Sequence, residues 1–392
     1  MDALQAPAVQ VEQSLRRRSE TCEAFFTREA GRLASTCQEM AERFLRGGRL
    51  LAFGRGPSLT DAQHVSVEFV HPVIVGKRAL PALDVSAAFG RWLPAIVQPA
   101  DIVMGFGPPE GDPEVARALD AVRSSGALTI ALPGQRADYA IDAASSDPFV
   151  HQEIVEILYH TLWETVHVFF EHRERGYDVG ESGFLYPFLG EAKQDTSGVL
   201  SQVASSIEAK ARDDARLRER VAREQSERIG EAADAIRSRL RSGGKLIIFG
   251  NGGSATDAND FALDCALPPP GYRPIPAVSL AMEPATMSAI ANDIGTEAIF
   301  LRQLIAQAQP ADVAVAISTS GGSANIIAAL EGARRHDLLT VALLGYDGGE
   351  VVRRGLADIA LVVPSDYIPR IQEVQASIYH VLRDALEAPA DG

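Results

Sequence analysis

Two short stretches in the second half of the chain have the composition of anion cradles. One is Gly250-Asn251-Gly252-Gly253-Ser254, which follows the apolar run from Lys245 to Phe249 and leads into a helical pattern through Ala258, Phe261, Ala262 and Cys265. The other is Ser318-Thr319-Ser320-Gly321-Gly322-Ser323, between a strand pattern at 312–317 and a helical pattern from Asn325 to Arg335. A glycine-rich turn from strand to helix bares backbone N–H groups, and the helix N-terminus adds partial positive charge, so both stretches suit a phosphate. A single serine is expected there as a helix cap, but four hydroxyls in six residues exceed what capping needs. In the first half, His64 and Glu68 stand four residues apart in a helical pattern. Such a pair projects from one helix face and could jointly hold a zinc ion.

The elements that carry these residues occur twice. Gly47 to Ala62 reads Gly-Gly-Arg-Leu-Leu-Ala-Phe-Gly-Arg-Gly-Pro-Ser-Leu-Thr-Asp-Ala, and 196 residues later Gly243 to Ala258 reads Gly-Gly-Lys-Leu-Ile-Ile-Phe-Gly-Asn-Gly-Gly-Ser-Ala-Thr-Asp-Ala. Farther on, the strand patterns 101–106 and 127–132 correspond to 312–317 and 339–344. Gln152 and His160 correspond to Gln372 and His380, with an eight-residue interval in both halves. Ordered correspondence of this kind signals an internal duplication. Each half opens with a long amphipathic helical pattern, at 11–46 and 199–241, the first with Leu15, Cys22, Phe25, Phe26 and Leu33 at helical spacing. The alternation of strand and helix patterns predicts an α/β protein of two domains, 1–190 and 191–392. Residues 176–190, rich in turn formers yet carrying four aromatics, read as a connection that packs against something, and 191–198 as a solvated linker.

Composition bounds the function. With 392 residues, 46% hydrophobic and 23% charged, the chain has the make-up of a soluble globular protein of about two domains. No apolar run approaches the roughly 18 residues that a membrane span needs, and the N-terminus lacks a basic start followed by an apolar segment. A net charge of −15 argues against nucleic acid or an anionic membrane as partner. The three cysteines, Cys22, Cys37 and Cys265, are odd in number and scattered, which fits reduced thiols in the cytoplasm.

Both cradles, with Asn292-Asp293 and the later Arg370-Ile371-Gln372-Glu373 and His380, resemble the sugar isomerase (SIS) family. Within it they are most similar to the sedoheptulose 7-phosphate isomerases, over roughly residues 196–388. The resemblance implies two doubly wound parallel sheets flanked by helices, a bound sugar phosphate, and a homodimer whose four domains form a pseudo-tetramer. It implies Asn251, Gly252, Ser254, Ser318, Thr319, Ser320 and Ser323 as phosphate contacts, and Asn292, Asp293 and Gln372 as further substrate contacts. It also implies His64, Glu68, Gln152 and His160 as a zinc and acid/base set in the first half. The second half keeps Gln372 and His380 but carries Asp260 and Asp264 where the first has His64 and Glu68. On a straight helix Gln152 and His160 are separated by ~12 Å of rise. Sharing one ion would then need an irregular helix start or a second subunit.

The halves have complementary losses. Where the second has its serine loop, the first has Gly107-Pro108-Pro109-Glu110-Gly111-Asp112, which removes hydroxyls and N–H donors and adds two negative charges. The first half is therefore expected not to bind phosphate by itself. The implied activity is an aldose–ketose isomerisation of a sugar phosphate through an ene-diol, with Glu68 as base and His160 as acid. Two arrangements fit: a composite of the first half's metal set with the second half's phosphate loop, or a site within the second half using Asp260, Asp264, Gln372 and His380. A non-catalytic sugar-phosphate-binding or assembly protein is the alternative from another class.

Overall fold

The computed structural model describes residues 5–74, 76–175 and 196–387. The connection expected at 176–190, most of the linker expected at 191–198, and the chain ends lie outside them. The chain divides into two units, Glu20–Ala215 and a second made of Met1–Ser19 with Arg216–Gly392.

The first unit has strands β1 (Leu50–Phe53), β2 (Ala82–Asp84), β3 (Ile102–Phe106), β4 (Leu128–Leu132) and β5 (Tyr139–Ala140), all parallel, in the order β2-β1-β3-β4-β5. Helix α1 (Gln5–Leu45), α2 (Leu59–Val70), α3 (Phe89–Ile96), α4 (Pro113–Val122) and α5 (Pro148–Arg175) complete the half. The second unit follows α6 (Thr196–Arg241), with β6 (Leu246–Gly250), α7 (Gly253–Ala266), β7 (Ala277–Ser279), α8 (Pro284–Asp293) and α9 (Ile299–Gln307). Then come β8 (Val313–Ser318), α10 (Ala324–Arg335), β9 (Leu339–Gly345), α11 (Gly349–Arg353), β10 (Ile359–Val363) and α12 (Ile368–Glu387). Its sheet, also parallel, runs β10-β9-β8-β6-β7. Two doubly wound sheets of five strands are thus present, as the resemblance implied. Central strands such as β1, β3, β6 and β8 are buried along their whole length, which is why they read as unbroken apolar runs.

Each core takes in part of both long helices. Phe25, Phe26, Leu33 and Met40 of α1 join the first core together with Val203, Ile207 and Ala211 of α6. Val11 and Leu15 of α1 join the second core together with Val221, Ile229 and Ile236 of α6. The unit boundaries therefore fall inside the two long helices. Ion pairs fix both exchanges: a buried one between Lys210 of α6 and Glu164 of α5 in the first unit, and a half-buried one between Arg18 of α1 and Asp384 of α12 (3.1 Å) in the second. Truncating Leu15, fully buried, to alanine would cost about 2–5 kcal/mol.

The segments that precede each sheet's third strand differ. The second unit has two helices there, α8 and α9, where the first has only α3. The interval from His64 to Gln152 is accordingly shorter than that from Asp260 to Gln372. All three cysteines are buried thiols outside any disulfide. Among the described residues no helix is long and apolar enough to cross a membrane.

Candidate functional site

In the second sheet the chain leaves β6 toward β7 on one side, and β8 leads to β9 on the other, so the strand order reverses between β6 and β8. Ligands of open parallel sheets bind outside the carboxyl ends at such a switch point. Both sequence cradles lie there. Gly250 ends β6 so close to the incoming helix that a Cβ would stand 2.2 Å from the Ser254 carbonyl oxygen, which only glycine avoids. The helix α7 then starts at Gly253, and its N-terminus faces the crevice beside that of α10. Gly321 is held at φ +58°, with its Cα against the Gly348 carbonyl, and lets the serine loop turn back over the strand end.

The loop's donors differ in availability. Ser318 and Ser254 are buried, and the Ser318 hydroxyl accepts the Gly321 N–H (3.1 Å), so these two shape the loop. Ser320 is exposed, its oxygen accepting from Gly322 N (3.2 Å), which leaves its O–H available to a ligand. Ser323 occupies the N-cap of α10 without capping it. Asn251 and Asn325 span the two loops by a reciprocal pair of amide hydrogen bonds, each 2.9 Å. Open N–H and O–H groups at two helix N-termini are what an anion requires.

Four side chains of the second unit converge between α7 and α12. His380 Nε2 lies 3.0 Å from Asp264 Oδ2 and 3.6 Å from Asp260 Oδ2, and the Tyr379 hydroxyl donates to Asp260 Oδ2 at 2.8 Å. All are buried. Burial, then the neighbouring Asp260 charge, pushes the Asp264 carboxyl up to about 7, against the lowering effect of its bond to His380. These ligand atoms are close enough to share a metal, yet they already satisfy one another. The cluster can therefore hold and move a proton without an ion.

The first unit places His64, Glu68 and His160 together in the same fashion between α2 and α5. The Nε2 atoms of His64 and His160 face each other at 3.4 Å, and Glu68 Oε1 is 3.8 Å from His64 Nε2. Two imidazole nitrogens on one tetrahedral zinc, with bonds of ~2.0–2.1 Å, lie ~3.3–3.4 Å apart, so this buried donor set fits the implied ion. Gln152 stands on the same helix as His160. The helix α5 is regular from Pro148 onward, which leaves Gln152 some two turns, or ~12 Å of rise, from His160.

Among the remaining predicted contacts, Gln372 is buried in the first turns of α12, which starts beyond the carboxyl end of β10. Asn292 and Asp293 end α8, exposed, with the Asn292 amide donating to Asp293 (2.7 Å). The sequence reading missed Tyr379 and the Asn251–Asn325 clasp. The tyrosine could have been found, because Tyr159 and Tyr379 precede the matched histidines in both halves. The clasp could not, since it joins residues 74 apart.

Residues 211–345 match the SIS domain family. The chain is 42% identical over 160 residues to the phosphoheptose isomerase of Trichlorobacter lovleyi, covering 41% of this chain and 81% of that one. It is likewise 42% identical over 186 residues to the phosphoheptose isomerase of Geobacter sulfurreducens, covering 46% and 95%. Across 92% of its length it superposes on 94% of the C-terminal domain of glucosamine-fructose-6-phosphate aminotransferase from Francisella tularensis, with a TM-score of 0.59 and 9% identity, a likeness of fold alone. With both sheets built alike and a relative this similar over most of its own length, the chain belongs to the SIS domain family.

Proposed function

We propose that the chain is a sugar-phosphate isomerase that interconverts a ketose and an aldose phosphate, with sedoheptulose 7-phosphate and a heptose 7-phosphate as the pair. The observation that carries this reading is the second unit's switch-point crevice, where Thr319, Ser320, Ser323 and two helix N-termini stand ready for a phosphate. The relatives are phosphoheptose isomerases, which supports the sugar.

Moving a proton between adjacent carbons needs a base, an acid and something to steady the ene-diol oxygens. Each histidine–carboxylate cluster supplies a proton acceptor and a proton donor. Asp264, held near neutrality, and His380 share one proton across their 3.0 Å bond and would hand it on. Glu68 and His160 would do so in the first unit, where His64, Glu68 and His160 would hold zinc. When bound there, zinc would polarise the substrate carbonyl.

The test is deuterium uptake from solvent into sedoheptulose 7-phosphate by the wild type, Glu68→Gln and Asp264→Asn. Each variant keeps the side chain's shape and removes its basicity. Whichever cluster performs the chemistry should lose at least about 10² in rate when its carboxylate is changed, with substrate affinity near normal. Full activity in both variants would sink the proton-transfer assignment. Phosphate binding with no exchange in the wild type would leave a sugar-phosphate-binding protein.

A further inference from the structure

The first unit has its own switch point, between β1 and β3, and its two loops are furnished differently. Asp112 heads α4, and its Oδ1 accepts the N–H groups of Glu114 (2.7 Å) and Val115 (3.1 Å). Its Oδ2 faces Nη1 of Arg55, from the opposite loop, at 3.3 Å, and the same nitrogen is 3.5 Å from Glu114 Oε1. An aspartate that merely caps a helix needs the N–H groups alone. This carboxylate has in addition a guanidinium from across the crevice, which completes the donor set a bound phosphate would take.

Position by position, Arg55, Asp112 and Glu114 correspond to Asn251, Ser323 and Asn325. The second unit thus has a neutral amide clasp and an uncommitted serine where the first has an ionic clasp and a carboxylate. Beside Asp112 the first unit opens a cavity of about 510 Å³ whose charged lining is Glu110, Asp112, Asp120 and Asp142 against Arg136. A field of that sign repels a second anion.

We propose that Asp112 is a built-in anion that occupies the phosphate position of the first unit's crevice, so that each chain takes one sugar phosphate, in the second unit. This rests on reading the loops at 251–254 and 318–323 as the phosphate site. Arg55 is then a latent phosphate ligand, neutralised by the chain itself.

The experiment counts inorganic phosphate bound per full-length chain by equilibrium dialysis and phosphorus NMR. The double change Asp112→Ser with Glu114→Asn installs the second unit's residues, keeps a capping hydroxyl and frees Arg55. It should raise the stoichiometry from one to two, and a further Arg55→Gln should weaken the added site at least tenfold. Asp112→Ser alone, the milder change, should add the same site more weakly if the double variant does not melt cooperatively. A folded variant that still binds one phosphate, or a wild type that binds two, overturns the proposal. Adding Ser320→Ala and Ser323→Ala keeps the two readings apart. Those changes should remove the second unit's site and leave the added one, whereas a wild-type site that survives them refutes the second-unit assignment without touching the count at Asp112.

Discussion

His151, in the first turn of α5, should make the first unit lose stability in mild acid. It is 2% exposed, and its Nδ1 accepts the N–H of Ala144 at 3.1 Å, which places the neutral ring's proton on Nε2. A second proton would have to go onto the nitrogen that accepts this bond and would leave a charge without water. Burial therefore lowers its pKa from 6.5 to about 4, while a hydrogen bond with the Gly107 backbone pulls the other way. Because the folded value lies below the unfolded one, the contribution is complete above pH ~6.5 and is lost as pH falls toward 4. At about 1.4 kcal/mol per unit the full loss is ~3 kcal/mol, of which ~2 kcal/mol is reached by pH 5. His151→Gln keeps an acceptor for Ala144 and removes the titration. Urea unfolding of the wild type and this variant from pH 7.5 to 4.5 should show the wild type falling more steeply, by ~2 kcal/mol at pH 5, in the transition that the variant shifts. Two parallel profiles would refute the burial argument.

Ser320→Ala with Ser323→Ala should weaken sugar-phosphate binding roughly a hundredfold or more, since two hydrogen bonds to a charged group are worth about 1.5–3 kcal/mol each. Calorimetry showing greater loss from Glu110→Gln would reverse the loop assignment. Metal analysis of the purified chain should find one zinc, absent after His64→Ala and retained after Asp260→Ala; zinc that follows Asp260 instead would move the ion to the second unit. Light scattering at micromolar concentration should give twice the 41.9 kDa chain mass, and a monomer mass would remove the homodimer.

The sheets were legible because buried parallel strands are continuous apolar runs, and β1, β3, β6 and β8 are buried at every position. The two long helices were legible for a related reason, an apolar stripe sustained over ten turns. What the stripe could not say is which core each part covers. Val11 and Leu15 continue the face that carries Phe25 and Leu33, yet they pack in the other unit's core. Periodicity fixes a face and leaves its partner open. The clusters were legible to the extent that their members lie at helical spacing, as His64 and Glu68 do. Gln152 entered the metal set by analogy alone, since it stands eight residues before His160 on α5 and no four-residue spacing joins it to that face.

The two units differ at positions that touch, and the differences explain one another. Where the first unit sets two imidazole nitrogens 3.4 Å apart, at His64 and His160, at least one proton or a cation must lie between them, because two lone pairs repel. The second unit has Asp260 in place of His64, so the remaining histidine faces carboxylates, bonds Asp264 at 3.0 Å, and needs no ion to balance it. The extra negative charge this brings is absorbed by the Tyr379 hydroxyl on Asp260 and by the raised pKa of Asp264. The same logic holds at the crevices, where Arg55 requires Asp112 and Glu114, and Asn251 requires only another amide. A single residue moved from one buried histidine–carboxylate cluster into the other should therefore be worse tolerated than its whole contact set, since each swap alone leaves a buried charge without its counterpart.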